Sequence, residues 1–201
     1  NQQGSLGLGH TSVVTTPTLV PFTADTPIQA VFLSGGTYAA SYLIDTTGKL
    51  WVAGESNSCG FGSDQYLHRL WMPWGTEKRV KKVFCSESDA HWVAGSQYYR
   101  SYGVLLEDGV LYRWGHDEGQ TSGIWGTGYT GSIFTGHALF PYKVLDGVLD
   151  AYAVSGGYGR TLALMQDGTV RHTGYDGYNL GGGSGNRTQW ATIGGDFLTQ
   201  V

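Results

Sequence analysis

The chain has 201 residues, enough for one sizeable core, with 33 Gly, 13% aromatic and only 14% charged residues, and a net charge of −4. Glycine at about twice the ordinary ~7% of a globular chain, with no stretch of 12 or more residues in sustained helical periodicity, excludes a long-helix protein. The acidic balance argues against binding a phosphate backbone, and no apolar run reaches the ~18 residues of a membrane span.

The chain opens on the glycine-rich loop NQQGSLGLG, followed by a segment marked by Pro17. An apolar strand is predicted over Ile28–Gly36 and a second over Tyr38–Asp45. The stretch Asp45–Asn57, DTTGKLWVAGESN, then reads as a tight turn, a short strand, a glycine and a polar loop. A second round follows. It has the loop NSCGFG, the segment marked by Pro73, a strand over Val80–Ser86, another over Tyr98–Glu107, and the landmark EDGVLYRWGHD at Glu107–Asp117. Lys78, Arg79, Lys81 and Lys82, the densest cationic group, are expected to form a solvated turn ahead of the strand Val83–Ser86. A loop insertion near 122–136, SGIWGTGYTGSIFTG, delays the next proline to Pro141. The third round has strands over Val148–Gly157 and Gly159–Gln166, then QDGTVRHTGYD at Gln166–Asp176. It is followed by DGYNLGGG and a final RTQWATIGGDFLTQV.

The three landmarks keep one period. The turn glycines Gly48, Gly109 and Gly168 are 61 and 59 residues apart, and so are the strand-ending glycines Gly54, Gly115 and Gly174. Asp-Gly in the second and third copies is a strong hairpin signal, because that turn needs backbone angles that favour Gly and Asx. A repeat of about 60 residues built from three or four short antiparallel strands reads as a β-propeller blade. One blade cannot bury both faces alone, so a continuous core forms only when blades stack. The expectation is therefore an all-β chain. It comprises the tail of a preceding blade (1–27), a blade (28–79), a blade carrying the insertion (80–147), a blade (148–190) and the start of another (191–201). Propellers close with 4–8 blades, so three imply remaining blades of the same propeller elsewhere, or less directly a homo-oligomer.

These residues resemble the regulator-of-chromosome-condensation repeat family of seven-bladed propellers. The resemblance rests on Gly35-Gly36, Gly48, Leu50-Trp51, Gly54, Asn57 and Gly60 in the first copy. Gly109, Leu111, Trp114-Gly115, Asp117, Gly119 and Gln120 carry it in the second. In the third it rests on Gly156-Gly157, Asp167-Gly168, Gly174, Asp176 and Leu180-Gly181. The opening NQQGSLGLG, with Pro17 and Val20 behind it, also fits the pattern. It implies a propeller in which Gly48, Trp51, Gly54, Asn57, Gly109, Trp114, Gly115, Gly168 and Gly174 are structural. Members of that family include exchange factors for a small GTPase, other regulators, photoreceptors and ubiquitin-ligase modules. The Gly-, Tyr-, Trp- and Thr-rich style is also similar to propellers of bacterial surface proteins and phage tail fibres.

Function is expected where the repeat is broken. The insertion is uncharged and presents Trp125, Tyr129 and Phe134 among Gly, Thr and Ser. Flat apolar faces beside small hydroxyls suit stacking on a sugar ring or capture of a protein surface. The alternative is that these rings pack on the blade or on a neighbouring subunit. A second aromatic group, Tyr66, Trp71 and Trp74, is expected to pack between blades. His116, Asp117 and Glu118 fall on the blade-connecting turn, where Asx hydrogen-bonds its own backbone. The other histidines have no metal-ligand spacing, Cys59 and Cys85 suggest buried thiols, and no nucleophile or phosphate-loop motif is complete. The expectation is a non-enzyme with no cofactor, metal or nucleic-acid partner, a virion or surface module that contacts a glycan or protein. A cellular regulator of the exchange-factor type and a purely structural component are the alternatives. A virion or extracellular setting is favoured over a nuclear or cytoplasmic one.

Overall fold

The computed structural model describes residues 1, 4–22, 25–33, 40–54, 64–69, 73–88, 99–115, 126, 138–154, 160–175 and 186–193. Within them lie three four-stranded antiparallel sheets, each a simple meander. The first holds β1 (Ile28–Leu33), β2 (Ala40–Asp45), β3 (Leu50–Gly54) and β4 (Asp64–Arg69). The second holds β5 (Val80–Ser88), β6 (Tyr99–Leu106), β7 (Leu111–Gly115) and β8 (Ala138–Leu145). The third holds β9 (Val148–Val154), β10 (Arg160–Met165), β11 (Val170–Tyr175) and β12 (Asn186–Thr192).

The hairpin turn between the second and third strands is the same in all three sheets. Gly48, Gly109 and Gly168 have φ of +78°, +84° and +82°. Their amides donate to the carbonyls of Asp45, Leu106 and Met165 at 2.8, 3.0 and 3.0 Å. A left-handed residue after a tight turn matches the twist of the flanking strands, and glycine adopts that angle without a Cβ clash. The second set of repeat glycines has a different cause. The pairing of third and fourth strands slips between Val52 and Gly54, between Arg113 and Gly115, and between His172 and Gly174. A bulge there is the reason for a glycine at that strand end.

Alternation along each strand gives every sheet two apolar faces, and the core lies between sheets rather than within one. At the first seam Tyr42, Ile44, Leu50 and Val52 meet Val80, Val83, Tyr102, Val104, Leu106 and Trp114. At the second, Phe84, Leu105 and Leu111 meet Val148, Ala151, Ala163 and Met165. Backbone bonds latch both seams at one place. The Val80 amide donates to the Gly48 carbonyl at 2.8 Å, and the Val148 amide to the Gly109 carbonyl at 2.9 Å.

Two expectations need correction. β5 already begins at Val80, so Lys81 and Lys82 are strand residues rather than part of a solvated turn. The cationic cluster is paired: Lys78 with Asp108 at 2.8 Å, Arg79 with Glu107 at 3.0 Å and Lys82 with Asp150 at 3.0 Å. Pairing of β5 with β6 brings Lys78 and Arg79 beside Asp108 and Glu107, and stacking of the third sheet on the second brings Asp150 to Lys82, neither of which a local reading of charge sees. Trp51 and Trp114 also differ in role. Trp114 pairs with Tyr102 and is fully buried in the first seam. Trp51 is half-buried on the opposite side of its sheet, edge-on to Phe22 with ring centroids 5.1 Å apart.

Candidate functional site

The insertion occupies residues 116–137, between β7 and β8. The corresponding connections in the other two sheets are shorter, residues 55–63 and 176–185. Trp125, Tyr129 and Phe134 lie outside the described residues, as do His116, Asp117, Glu118 and Asn57. One insertion residue is described, Gly126, at φ +69°. It lies so close to the Trp190 indole that a Cβ there would overlap the ring. Trp190 belongs to β12, so Gly126, next to Trp125 in sequence, lies against the outer strand of the third blade.

Below that loop the second seam contains a buried cation. Arg113 stands on β7 where Val52 stands on β3, and it is fully buried. Its guanidinium donates to Thr161 Oγ1 on the third blade and to Ser101 Oγ at 2.7 Å. It also lies over the Phe84 ring, 5.2 Å from the centroid. Phe84, Gly103 and Arg113 form one row across the sheet, because Phe84 pairs with Gly103 and Gly103 with Arg113. A Cβ on Gly103 would overlap the Phe84 ring, so glycine clears the space in which guanidinium and ring meet. Sequence reasoning missed this cluster. Its one signal was an arginine at a landmark-strand position that elsewhere carries Val52 or His172.

Near the inner strands, Lys82 Nζ sits 3.4 Å from the Tyr152 ring centroid and bonds the Asp150 carboxylate. The Tyr152 hydroxyl donates to the same carboxylate at 2.7 Å. Burial raises the Asp150 pKa, but the bonds from Tyr152 and Lys82 outweigh it and hold the group below the usual range. This is a structural tie between blades.

The third polar cluster surrounds the first hairpin. The buried Asp45 carboxylate accepts from Thr47 N at 2.9 Å, Thr47 Oγ1 at 2.6 Å, Lys49 N at 3.0 Å and Trp51 Nε1 at 3.1 Å. Burial alone would raise its pKa, yet these four bonds to the charged form lower it to about 2. The folded value lies below the unfolded 3.8, so the ionised group adds stability above pH ~4. That contribution, roughly 2 kcal/mol, is lost as pH falls toward 2. Asp45→Asn should therefore lower stability at pH 7 by about that much and change it little at pH 2. Urea unfolding of both proteins at the two pH values checks this; a gap that stays constant contradicts the ionisation account.

Asn57 lies outside the described residues; its counterpart in the sequence of the opening loop is Asn1. Asn1 Oδ1 accepts from Leu6 N at 3.0 Å, and Asn1 Nδ2 donates to the His10 carbonyl at 2.6 Å. Beyond it, Leu6, Leu8, Val14, Thr16, Pro17 and Val20 line an open groove of about 340 Å³. Among the described residues no three His, Cys, Asp or Glu side chains converge as metal ligands.

The sequence matches no family model and no curated protein. Its fold does match solved structures. Against human WBSCR16 the TM-score is 0.66 at 16% identity, over 96% of this chain and 46% of that one. The fold is an RCC1-like β-propeller. Yeast RCC1 (Prp20), solved with Kap60 bound, matches at TM-score 0.57 and 16% identity, over 82% of this chain and 37% of Prp20. A second Saccharomyces cerevisiae Prp20p structure, from work that also describes its binding to Gsp1p and histones, gives 0.54 at 17% identity over 82% and 38%. The chain thus spans less than half the length of each of these structures.

Proposed function

We propose that the chain is a non-catalytic propeller module that binds a protein surface through the insertion at 116–137. The observation that carries this is the contact of Gly126 with Trp190. The insertion breaks the repeat, and its Gly126 touches the neighbouring blade; binding residues gather on such loops over a rigid scaffold. Its sequence adds three large aromatic side chains and no charge from Ser122 to Gly136, the composition of an interface centre. Yeast RCC1 binds Kap60, and Prp20p's binding to Gsp1p and histones is described, which supports a protein over a glycan as partner. The exchange-factor reading draws on the same likeness. The virion setting draws on no similarity of fold.

The test uses the triple variant Trp125→Ala, Tyr129→Ala, Phe134→Ala. Wild type and variant are compared in nucleotide release from a panel of small GTPases, in binding to core histones, and on a glycan array. The expected result is a signal in a protein arm that falls at least about tenfold in the variant while its thermal unfolding is unchanged. A signal confined to the glycan array, or one that the variant retains, overturns the reading.

A further inference from the structure

The two seams share one latch. In both, the leading amide of the following sheet donates to the carbonyl of a turn glycine, Val80 to Gly48 and Val148 to Gly109. That contact is backbone to backbone, so it does not tell one blade from another. The register of the central hairpins is also shared. Tyr42 pairs with Val52 in the first sheet, Gly103 with Arg113 in the second and Leu162 with His172 in the third, at the same distance from the turn. The next pair along points to the opposite face. It is Ser41 with Ala53, Tyr102 with Trp114 and Thr161 with Thr173. Sheets with one turn, one latch and one register offer more than one way to stack, and misassembly of like units is a characteristic failure of repeat chains.

The side chains at those two pairs do differ between seams. At the first seam Tyr42 and Val52 face Tyr102 and Trp114, and all four are fully buried. The Tyr42 ring lies 5.6 Å from Tyr102 and 6.1 Å from Trp114, centroid to centroid. At the second seam Arg113 reaches across to Thr161, and Ser101 of its own sheet accepts from the same guanidinium at 2.7 Å. Gly103 omits the side chain that Tyr42 carries, and Thr161 and Thr173 are small and fully buried. One seam is thus filled by rings from both sides, the other by a long cation set on small hydroxyl residues. The two fillings do not interchange. Arg113 against Tyr102 and Trp114 would overfill the seam and set a guanidinium on an indole that has no acceptor. Tyr42 and Val52 against Thr161 and Thr173 would leave the volume of an indole unfilled and bury an aliphatic side chain where the cation now bonds a hydroxyl.

We propose that Gly103 and Arg113 on the second blade, with Thr161 and Thr173 on the third, form a selectivity element that sets which blade stacks on which. The second blade's surface accepts a back face with small hydroxyl residues at this pair and rejects one with rings. The first blade's surface does the reverse. A buried polar contact is suited to this role, because a wrong partner leaves a desolvated cation without its acceptor, a larger loss than a poorly packed apolar contact brings. The stability such a contact adds is small beside an apolar filling of the same volume. Its effect is therefore on the choice among stacked arrangements, and it falls at the one pair where the second sheet departs from the large apolar residue, Tyr42 or Leu162, of the other two.

The test exchanges one filling for the other. A front swap combines Gly103→Tyr with Arg113→Val, and a back swap combines Thr161→Tyr with Thr173→Trp. A quadruple variant carries both and gives the second seam the residues of the first. Phe32 packs beside Tyr42 at 6.0 Å between centroids, so a phenylalanine on the first strand is compatible with tyrosine at this position. Each swap alone should lower the melting temperature by roughly 10 °C or more. The quadruple variant should regain about half or more of the summed loss. Losses that simply add, or a quadruple variant that does not fold, overturn the proposal; half-swaps that fail to fold beside a quadruple variant that does support it. A milder set separates selectivity from stability. Arg113→Met and Thr161→Val should each lower the melting temperature by roughly 5 °C, and the double variant by no more than the worse single one. Recovery of native monomer after refolding from urea should nevertheless fall about twofold or more in the double variant, because its seam no longer rejects a wrong partner. Recovery equal to that of the parent protein overturns the proposal and leaves Arg113 a contributor to stability alone.

Discussion

Trp114→Ala should cost about 3–5 kcal/mol and open the first seam. The Trp114 ring is fully buried, lies parallel to Tyr102 at 5.7 Å between centroids, and meets the Tyr42 ring edge-on at 6.1 Å. Tyr42 belongs to the first blade and the other two rings to the second. The side chain therefore holds two sheets together rather than filling one. Aromatic pairs of this kind add about 0.5–1.5 kcal/mol beyond the area they bury. The midpoint of thermal unfolding should fall by roughly 10 °C or more for a chain of this size. The effect should also be regional. Hydrogen exchange should accelerate in β2 and β3 and in β5–β7, and much less in β11 and β12, which lie across the other seam. Uniform acceleration along the chain would mean that the blades unfold as one unit and that this seam is not a separable joint.

Gly48→Ala should be far more damaging than Gly168→Ala, although the two glycines hold the same place in the repeat. Both have left-handed φ, which costs a residue with a Cβ about 1–2 kcal/mol. At Gly48 a second cost is added. The new Cβ would lie 2.5 Å from Arg79 Cβ and 2.8 Å from Arg79 Cα, so backbone must move. That movement would disturb the bond from the Val80 amide to the Gly48 carbonyl and the pair between Arg79 and Glu107. Overpacking of this kind costs a further ~1–3 kcal/mol. Gly48→Ala should thus destabilise by roughly 3 kcal/mol and Gly168→Ala by about 1 kcal/mol in the 201-residue chain. Guanidinium unfolding of the three proteins gives both values. Equal losses would show that only the local turn matters and that the seam latch contributes nothing.

The contrast between those glycines marks the limit of what a repeat reveals. Gly48, Gly109 and Gly168 were visible as one signature because the turn imposes the same backbone angle each time. Gly54, Gly115 and Gly174 were visible for a related reason, a bulge that recurs in each sheet. The strands between them were legible because alternation and turn chemistry are local properties, encoded within a few residues. Fold class and the loop that breaks the pattern followed from such local signals, whereas the fourth strand of each sheet, Asp64–Arg69, Ala138–Leu145 and Asn186–Thr192, was not among the predicted elements.

What the sequence by itself determined is therefore the blade. It includes the hairpin at each turn glycine, the apolar strands on either side, and the period that makes three of them equivalent. Only the tertiary structure decided which residues make the seams. Nothing local marked Arg113 as a seam residue; Thr161, whose hydroxyl its guanidinium reaches, lies 48 positions away. The cations at Lys78–Lys82 looked solvated until strand pairing set Lys78 and Arg79 against Asp108 and Glu107 and sheet stacking set Lys82 against Asp150. The physical reason is distance along the chain. Turns and strands are fixed by neighbours in sequence, whereas a seam joins residues whose approach depends on how whole sheets stack. Asp45–Asn57 and its two copies specify a blade, and the contacts that join one blade to the next exist only once the sheets have packed.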